Sequence, residues 1–182
     1  MQPASLPYQR MILIGSTGSG KTTLGGQLAG RLGFEHIEMD ALYWEPGWVP
    51  VSHELLCERV ELATRGTCWV ADGNYSYARA IVWPRAQAVV WLDYPLATIF
   101  MRLLRRTWRL WRTQEQLCNG NREVLLRHFK LWSDESIFHW LVISHARHSR
   151  EYPLLLAQPE NRHLTVLRFC TPAETQAWLD QI

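Results

Sequence analysis

The sequence predicts an α/β fold in which a five-stranded parallel sheet is flanked by helices. Short apolar segments of strand length alternate with longer stretches of helical pattern, and this alternation is typical of parallel sheets. A second observation is that the first four apolar segments end at Gly15, Asp40, Asp72 and Asp93. Because such sheets bind ligands at the carboxyl ends of their strands, these positions mark where a functional site is expected.

The elements follow one another in a regular order. The predicted strands span residues 11–14, 36–39, 68–71, 88–92 and 163–169. Helices are expected at residues 21–32, 52–65, 95–112, 123–131, 136–151 and 172–182. Gly33 should end the first helix, Ser52 should cap the second, and Pro153 should stop the helix that begins at residue 136. A loop rich in Trp, Pro and Gly is expected at residues 44–48.

The composition indicates one globular domain over residues 1–182. Hydrophobic residues make up 47% and charged residues 20% of the chain, which excludes wholesale disorder. The net charge of +2 is too small for a histone-like nucleic-acid binder. Residues 102–130 nevertheless hold eight basic and two acidic side chains. Such a local cationic segment on a nearly neutral protein predicts a site for a compact anion.

Nothing in the sequence indicates secretion or a membrane partner. The four cysteines form no CxxC pair, and no charged segment precedes an apolar one at the N-terminus. The apolar runs are far shorter than the roughly 20 residues that span a bilayer. We therefore expect a cytoplasmic protein.

A glycine-rich motif, GxxxxGK[ST], follows the first strand and opens the first helix. Its glycines let successive backbone N–H groups face one anion, and the helix N-terminus adds partial positive charge. Lys21 is expected to reach the β- and γ-phosphates of ATP, and the Thr22 hydroxyl to bind Mg²⁺. The predicted fold is therefore a P-loop NTPase. Its predicted nucleotide-binding residues are Gly15, Ser16, Thr17, Gly18, Ser19, Gly20, Lys21, Thr22 and Thr23.

The aspartates at the strand ends have different expected roles. Asp72 should hold the water shell of Mg²⁺ opposite Thr22, with a turn role as the alternative. Asp40 should orient an acceptor hydroxyl and take its proton, with a cap or turn role as the alternative. Asp93 is expected to cap the following helix.

Arginines recur at helical spacing after the fourth strand, at Arg102, Arg105, Arg106, Arg109 and Arg112. Arginine stabilises charge in phosphoryl transfer, so Arg102 and Arg106 are candidate catalytic residues. A solvated helix face, a surface for single-stranded nucleic acid and an interfacial membrane helix are the alternatives. The interleaved Trp108 and Trp111 argue against a purely solvated face. We predict a short arginine-rich helical lid at about residues 106–122.

Aromatic side chains near the strand ends are candidates for the acceptor pocket. Trp44 and Trp48 follow Asp40 closely, and Asn74 with Tyr75 follows Asp72. Core packing is the alternative for each tryptophan and is favoured for the others considered, Trp83, Trp132 and Trp140. Two histidines at helical spacing, His145 and His148, have no evident third ligand and are expected on the surface.

Together these motifs resemble the adenylate-kinase-like branch of the P-loop kinases over about residues 10–179. The segment VADGNY at 70–75 is similar to the Asp-Gly turn after the third strand of adenylate kinases. Asp93-Tyr94-Pro95, followed by Arg102 and Arg106, is similar to the end of the fourth strand and the lid arginines of that family. The resemblance implies a kinase that uses ATP and Mg²⁺, whose arginines contact the nucleotide and the transferring phosphoryl group.

A closer resemblance is to a bacterial group labelled adenylate-kinase-related kinases or DNA topology modulation proteins. The shared motifs are WxPGW at 44–48, DGNY at 72–75, VWPRA at 82–86 and NGNRE at 119–123. The chain has Asn74-Tyr75-Ser76 where adenylate kinases have Phe-Pro-Arg, which argues against AMP as the acceptor. Asp40 is similar to the acid of shikimate- and gluconate-type kinases, which phosphorylate a small-molecule hydroxyl.

Two functions are therefore predicted. The first is an ATP-dependent phosphotransferase that acts on a nucleotide or small-molecule acceptor. The alternative is a nucleotide-dependent DNA-binding or regulatory protein that affects DNA topology, which the small net charge disfavours.

Overall fold

The central sheet has five parallel strands, as the sequence predicts. The computed structural model describes residues 6–122 and 137–182. A small antiparallel hairpin stands apart from the sheet and consists of β3 (Trp44–Glu45) and β4 (Val49–Pro50). The strands of the sheet are β1 (Arg10–Gly15), β2 (Glu35–Glu38), β5 (Trp69–Asp72), β6 (Ala88–Leu92) and β7 (Thr165–Phe169). Their order is β2-β5-β1-β6-β7, so the carboxyl end of β1 lies between those of β5 and β6.

Helices cover both faces of this sheet. They are α1 (Lys21–Leu32), α2 (Met39–Tyr43), α3 (His53–Ala63), α4 (Ser76–Arg85), α5 (Leu96–Thr113), α6 (Ile137–Leu156) and α7 (Pro172–Leu179). Gly33 ends α1 at a φ of 69°, and the Ser52 hydroxyl accepts a hydrogen bond from the Leu55 N–H at the start of α3. Both boundary predictions are confirmed.

Prolines explain the two largest differences between the predicted and observed helices. Helix α4 was not predicted, and it contains Pro84 in its last turn. Helix α6 was predicted to stop at Pro153, but it continues to Leu156. A proline inside a helix costs one backbone hydrogen bond. The buried Tyr152 and the core contacts of the last turn of α6 outweigh that cost.

The region after β2 also differs from the prediction. The strand ends at Glu38, and Asp40 lies in the short helix α2 rather than at the strand end. The tryptophan-rich segment forms the β3–β4 hairpin rather than a loop. Its turn holds Trp48 at a φ of 60°, the left-handed region that few residues other than glycine adopt.

Alternate residues of the strands pack against opposite layers of helices. Ile12 and Ile14 of β1 face the cluster that contains buried residues of α3, α4 and α6. Met11 and Leu13 face the cluster that contains buried residues of α1, α5 and α7. Because both faces are covered, the open edge at the carboxyl ends of the strands is where the sheet presents backbone and polar side chains.

Two predicted features, the helix at 123–131 and Trp132, lie outside the described residues. Within residues 6–122 and 137–182, no helix is long and apolar enough to cross a membrane.

Candidate active site

The glycine-rich loop connects β1 to α1, as predicted, and its backbone conformation depends on glycine. Gly15, Gly18 and Gly20 have φ values of 148°, 78° and 102°. A Cβ atom on Gly18 would lie 2.9 Å from the Cβ of Leu103, and one on Gly20 would lie 2.7 Å from Nη2 of Arg102. The loop is therefore packed tightly against α5, with Arg102 directly beside it.

Lys21 begins α1 and points back over the loop. Its Nζ donates hydrogen bonds to the carbonyls of Gly15, at 2.8 Å, and Ser16, at 3.2 Å. Burial lowers the pKa of the Lys21 ammonium group, while Asp40 and Asp72 oppose that shift. The ammonium group thus lies within electrostatic reach of both candidate carboxylates.

Asp72, at the end of β5, is 2% exposed and faces the start of α1. The Thr22 hydroxyl lies 3.4 Å from its Oδ1 atom. Hydroxyl and carboxylate oxygens are the ligands that Mg²⁺ prefers, so the pair fits the predicted metal site. In the part of the chain that the structure describes, no three His, Cys, Asp or Glu residues form a metal cluster. Such a cluster is not needed where phosphates and water supply most ligands.

Two residues of β2 that the sequence analysis missed lie beside Asp72. His36 Nε2 is 2.8 Å from Asp72 Oδ2. Burial of the imidazole lowers the His36 pKa, but the hydrogen bond to Asp72 and the charge of that carboxylate raise it, and the net shift is upward. Glu38 is the register partner of Asp72, and burial raises the pKa of its carboxyl. The alternation of His36, Ile37 and Glu38 was the available signal, because it puts both polar side chains on one face.

Asp40 faces the same edge from α2. Its Oδ1 accepts a 2.6 Å hydrogen bond from the hydroxyl of Tyr75. Burial, followed by the Asp40 charge, raises the Tyr75 pKa well above its ordinary value, so the phenol remains a donor. Although Asp40 is not at a strand end, the structure brings it together with Tyr75 and Lys21.

Asn74 is bound to the glycine-rich loop. Its Nδ2 donates to the carbonyl of Gly15 at 2.5 Å, and the Gly15 N–H donates to its Oδ1 at 3.2 Å. These two hydrogen bonds join the first residue of the loop to the segment after β5. Among the predicted acceptor residues, Asn74 therefore also supports the nucleotide loop.

The aromatic candidates cluster beside Tyr75. The rings of Tyr43 and Tyr75 are 4.8 Å apart, and those of Trp44 and Trp48 are 5.7 Å apart. Trp44 also makes an edge contact with Tyr43. These rings form one wall next to Asp40.

The end of the predicted lid is hydrogen-bonded to this wall. Asn119 Nδ2 donates to the carbonyls of Ala41 and Trp44. Asn121, which is 3% exposed, accepts from the Trp48 N–H and donates to the carbonyl of Glu45. We call these contacts of Asn119 and Asn121 with residues 41–48 the hairpin latch. From the sequence, residues 119–122 were predicted only as the end of the lid and as part of the NGNRE motif.

A pocket of about 120 Å³ lies on the other side of the glycine-rich loop. Residues of six elements or connections surround it: Ser19, Gly20, Thr23, Leu24, Gln27, Leu92, Tyr94, Arg102, Pro172, Thr175, Gln176 and Leu179. The predicted nucleotide residue Thr23 and the predicted catalytic residue Arg102 thus share one pocket. The positive charge of Arg106, one turn further along α5, lowers the pKa of the Lys21 ammonium group.

Three predictions outside the site are wrong. Core packing does not hold for Trp140, which is 50% exposed. Asp93 does not cap α5, because its carboxylate accepts hydrogen bonds from Arg168, the shorter at 2.5 Å. His148 is 8% exposed and stacks on Tyr152, so it is a core residue rather than a surface one. His145 is partly buried and contacts the carbonyl of Tyr94 at 3.0 Å.

The sheet order, the loop geometry and the positions of Lys21 and Asp72 match the fold of P-loop NTPases. Shikimate kinase from Synechococcus elongatus is 29% identical over 113 residues, or 51% of this chain and 56% of that protein. Shikimate kinase from Thermosynechococcus vestitus is 30% identical over 111 residues, or 50% of this chain and 57% of that protein. The chain therefore spans little more than half the length of these curated relatives. No protein-family model matches it.

Solved structures show the same fold over nearly the whole chain. The shikimate kinase from Acinetobacter baumannii in complex with shikimate gives a TM-score of 0.51 at 18% identity, covering 96% of this chain and 92% of that one. The shikimate kinase from Bacteroides thetaiotaomicron gives a TM-score of 0.54 at 15% identity, covering 96% of both chains. These comparisons lend no support to the DNA topology label of the bacterial group.

Proposed function

We propose that the chain is an ATP-dependent kinase that transfers the γ-phosphoryl group to a hydroxyl of a small molecule or nucleotide. The observation that carries this proposal is that hydrogen bonds join Lys21 to Gly15, Thr22 to Asp72 and Tyr75 to Asp40 at one edge of the sheet. The curated relatives that match the chain are named shikimate kinases, which supports a small-molecule acceptor.

On the nucleotide side, the backbone N–H groups of the glycine-rich loop would bind the phosphates, and Lys21 would reach the β- and γ-phosphates. The pocket beside Thr23 and Arg102 would hold the base. Thr22 and Asp72 would hold Mg²⁺, which supplies neutralisation of phosphate charge when bound. Arg102 and Arg106 would stabilise the charge on the transferring group.

On the acceptor side, Asp40 would accept the proton of the acceptor hydroxyl as that oxygen attacks the γ-phosphorus. The bond between the γ-phosphorus and the bridging oxygen breaks, and ADP leaves. Tyr75 holds one carboxylate oxygen of Asp40, so the other remains for the acceptor. Trp44, Trp48 and Asn74 complete the proposed acceptor site.

Residues 106–122 form the proposed lid. Helix α5 carries the arginines as far as Thr113, and the hairpin latch joins residues 119 and 121 to the acceptor wall. Closure would exclude water, so that the acceptor rather than water receives the phosphoryl group.

The test is ADP formation by the purified protein with ATP and Mg²⁺ against a panel of sugar acids, polyols, nucleosides and nucleoside monophosphates. Stimulation by one acceptor, with a mass increase of one phosphoryl group on that compound, is expected. Lys21→Ala is the control for contaminating kinases. Equal activity of that variant would refute the proposal.

One observation favours a second candidate, nucleotide-dependent DNA binding. Trp108 and Trp111 are 59% and 45% exposed and lie 5.1 Å apart, among the exposed Arg105, Arg109 and Arg112. Bases could stack on such rings while arginines bind phosphates. The test is binding of single-stranded DNA at several salt concentrations. Affinity weaker than about 10⁻⁴ M at physiological salt excludes this candidate.

A further inference from the structure

An imidazole contact lies beneath the start of α1, where it holds the candidate metal-binding carboxylate. His36 stands on β2, and its register partner on β5 is Val70 rather than Asp72. Its side chain nevertheless reaches along the sheet to Asp72 and brings Nε2 to 2.8 Å from Oδ2. The other ring nitrogen lies 3.7 Å from the carboxylate of Glu38.

The first turns of α1 leave room for this imidazole. A Cβ atom on Gly25 would lie 2.4 Å from Nε2 of His36 and 3.3 Å from Oδ2 of Asp72. At the adjacent Gly26, a Cβ atom would lie 3.8 Å from the nearest ring atom, which is ordinary contact. Glycine is unfavourable inside helices, so its presence at position 25 fits a requirement for close approach.

The contact determines which way the carboxylate faces. Asp72 is 2% exposed, and buried polar groups need hydrogen-bond partners. His36 occupies Oδ2, which directs Oδ1 towards the hydroxyl of Thr22 at 3.4 Å. Without His36, the carboxylate could rotate away from Thr22.

We propose that His36 is a positioning residue that orients Asp72 towards Thr22 and towards the divalent cation that accompanies the nucleotide. This inference rests on the proposed metal role of Asp72. Hydrogen-bond partners of metal-binding groups affect metal affinity by about 10- to 100-fold. His36 itself touches neither the cation nor the nucleotide.

The experiment measures how much Mg²⁺ increases the affinity for ADP. Titration calorimetry gives the dissociation constant of ADP with Mg²⁺ and with EDTA, and their ratio is the metal-linked gain. We expect His36→Leu to reduce this gain about tenfold and to leave ADP affinity in EDTA unchanged. His36→Gln keeps a side-chain N–H donor and should restore most of the gain. An unchanged gain in His36→Leu would overturn the inference.

Two glycine variants test the same contact without changing His36. Gly25→Ala should displace the imidazole and reduce the metal-linked gain, whereas Gly26→Ala should not. Both variants add the same methyl group to the same helix, so general effects on α1 cancel. An equal metal-linked gain in Gly25→Ala and Gly26→Ala would contradict the inference. These two glycine variants remain informative if His36→Leu does not fold.

Asp72→Asn separates this inference from the proposed function. If Asp72→Asn loses the metal-linked gain while the His36 and Gly25 variants keep it, only the role of His36 is refuted. An unchanged gain in Asp72→Asn would refute the metal role of Asp72 and, with it, the role of His36. Loss of the gain in Asp72→Asn, His36→Leu and Gly25→Ala is the expected result.

Discussion

The two halves of the candidate site are built in different ways. The nucleotide side, residues 15–23 with Arg102, is shaped by backbone that glycines permit and by one helix start. The acceptor side, Asp40 with Trp44, Trp48 and Tyr75, is shaped by side chains from segments distant in sequence. The nucleotide side therefore depends on a few glycines, whereas the acceptor side depends on each of its side-chain partners.

The largest expected effect is at Lys21, on the nucleotide side. Lys21→Ala removes the cation that would stabilise the transferring group, and turnover should fall by at least about 10²-fold. The loop backbone should remain intact, because Asn74 and the glycines hold it. Steady-state ADP formation checks the loss, and circular dichroism checks the fold. Normal turnover would mean that Lys21 has no catalytic role.

Substitution of Asp40 should impair the acceptor side of the site without impairing nucleotide binding. Asp40→Asn keeps the shape but removes the base, so kcat should fall by about 10²- to 10⁴-fold while ADP affinity is unchanged. Tyr75→Phe keeps the aromatic ring and leaves the Asp40 carboxylate in place, so kcat should fall less than in Asp40→Asn. Kinetics with the identified acceptor and ADP titration provide the comparison. Equal loss of turnover and ADP affinity in Asp40→Asn would remove Asp40 from the acceptor role.

Asn121 tests the hairpin latch. Asn121→Ala leaves the Trp48 N–H and the Glu45 carbonyl without this partner, which should cost about 1–3 kcal/mol of unfolding free energy. Asn119→Ala removes bonds at an exposed position and should cost less. Urea unfolding measures both variants. ADP affinity should remain that of the wild type, and a large decrease would show that the two sides are not independent.

A further prediction concerns the pH dependence of stability. Burial, with help from Arg147 and Lys21, lowers the pKa of His148 from 6.5 to about 4. The unfolded chain therefore binds a proton that the folded chain does not, and stability should fall as pH decreases from about 6.5 towards 4. His148→Gln should make this slope shallower. Denaturation at pH 7, 6 and 5 measures it, and an identical slope in the variant would contradict the prediction.

The sequence predicted the strand, loop and helix around the glycine-rich motif because the three are contiguous. The position of Asp40 was predicted less accurately, since it lies on a short helix that apolar periodicity does not reveal. The hairpin latch depends on contacts between segments up to 78 residues apart, and no local pattern encodes it. The alternation at residues 36–38 puts His36 on one face of β2, but its contact with Asp72 joins two strands and cannot be read from that pattern alone. Pro84 and Pro153 hid helical segments because core packing outweighed the local cost of proline.

The hairpin latch also has a consequence for the order of folding. Its hydrogen bonds join residues 73 to 78 positions apart, so closing it costs chain entropy that the sheet must first offset. Contacts of such long range form late, and those that lie outside the central sheet reopen before the core strands. The amide of Trp48, which donates to Asn121, should therefore exchange with deuterium long before the amides of β1. Residues 41–48 and 118–122 would then open as one unit while the core remains folded.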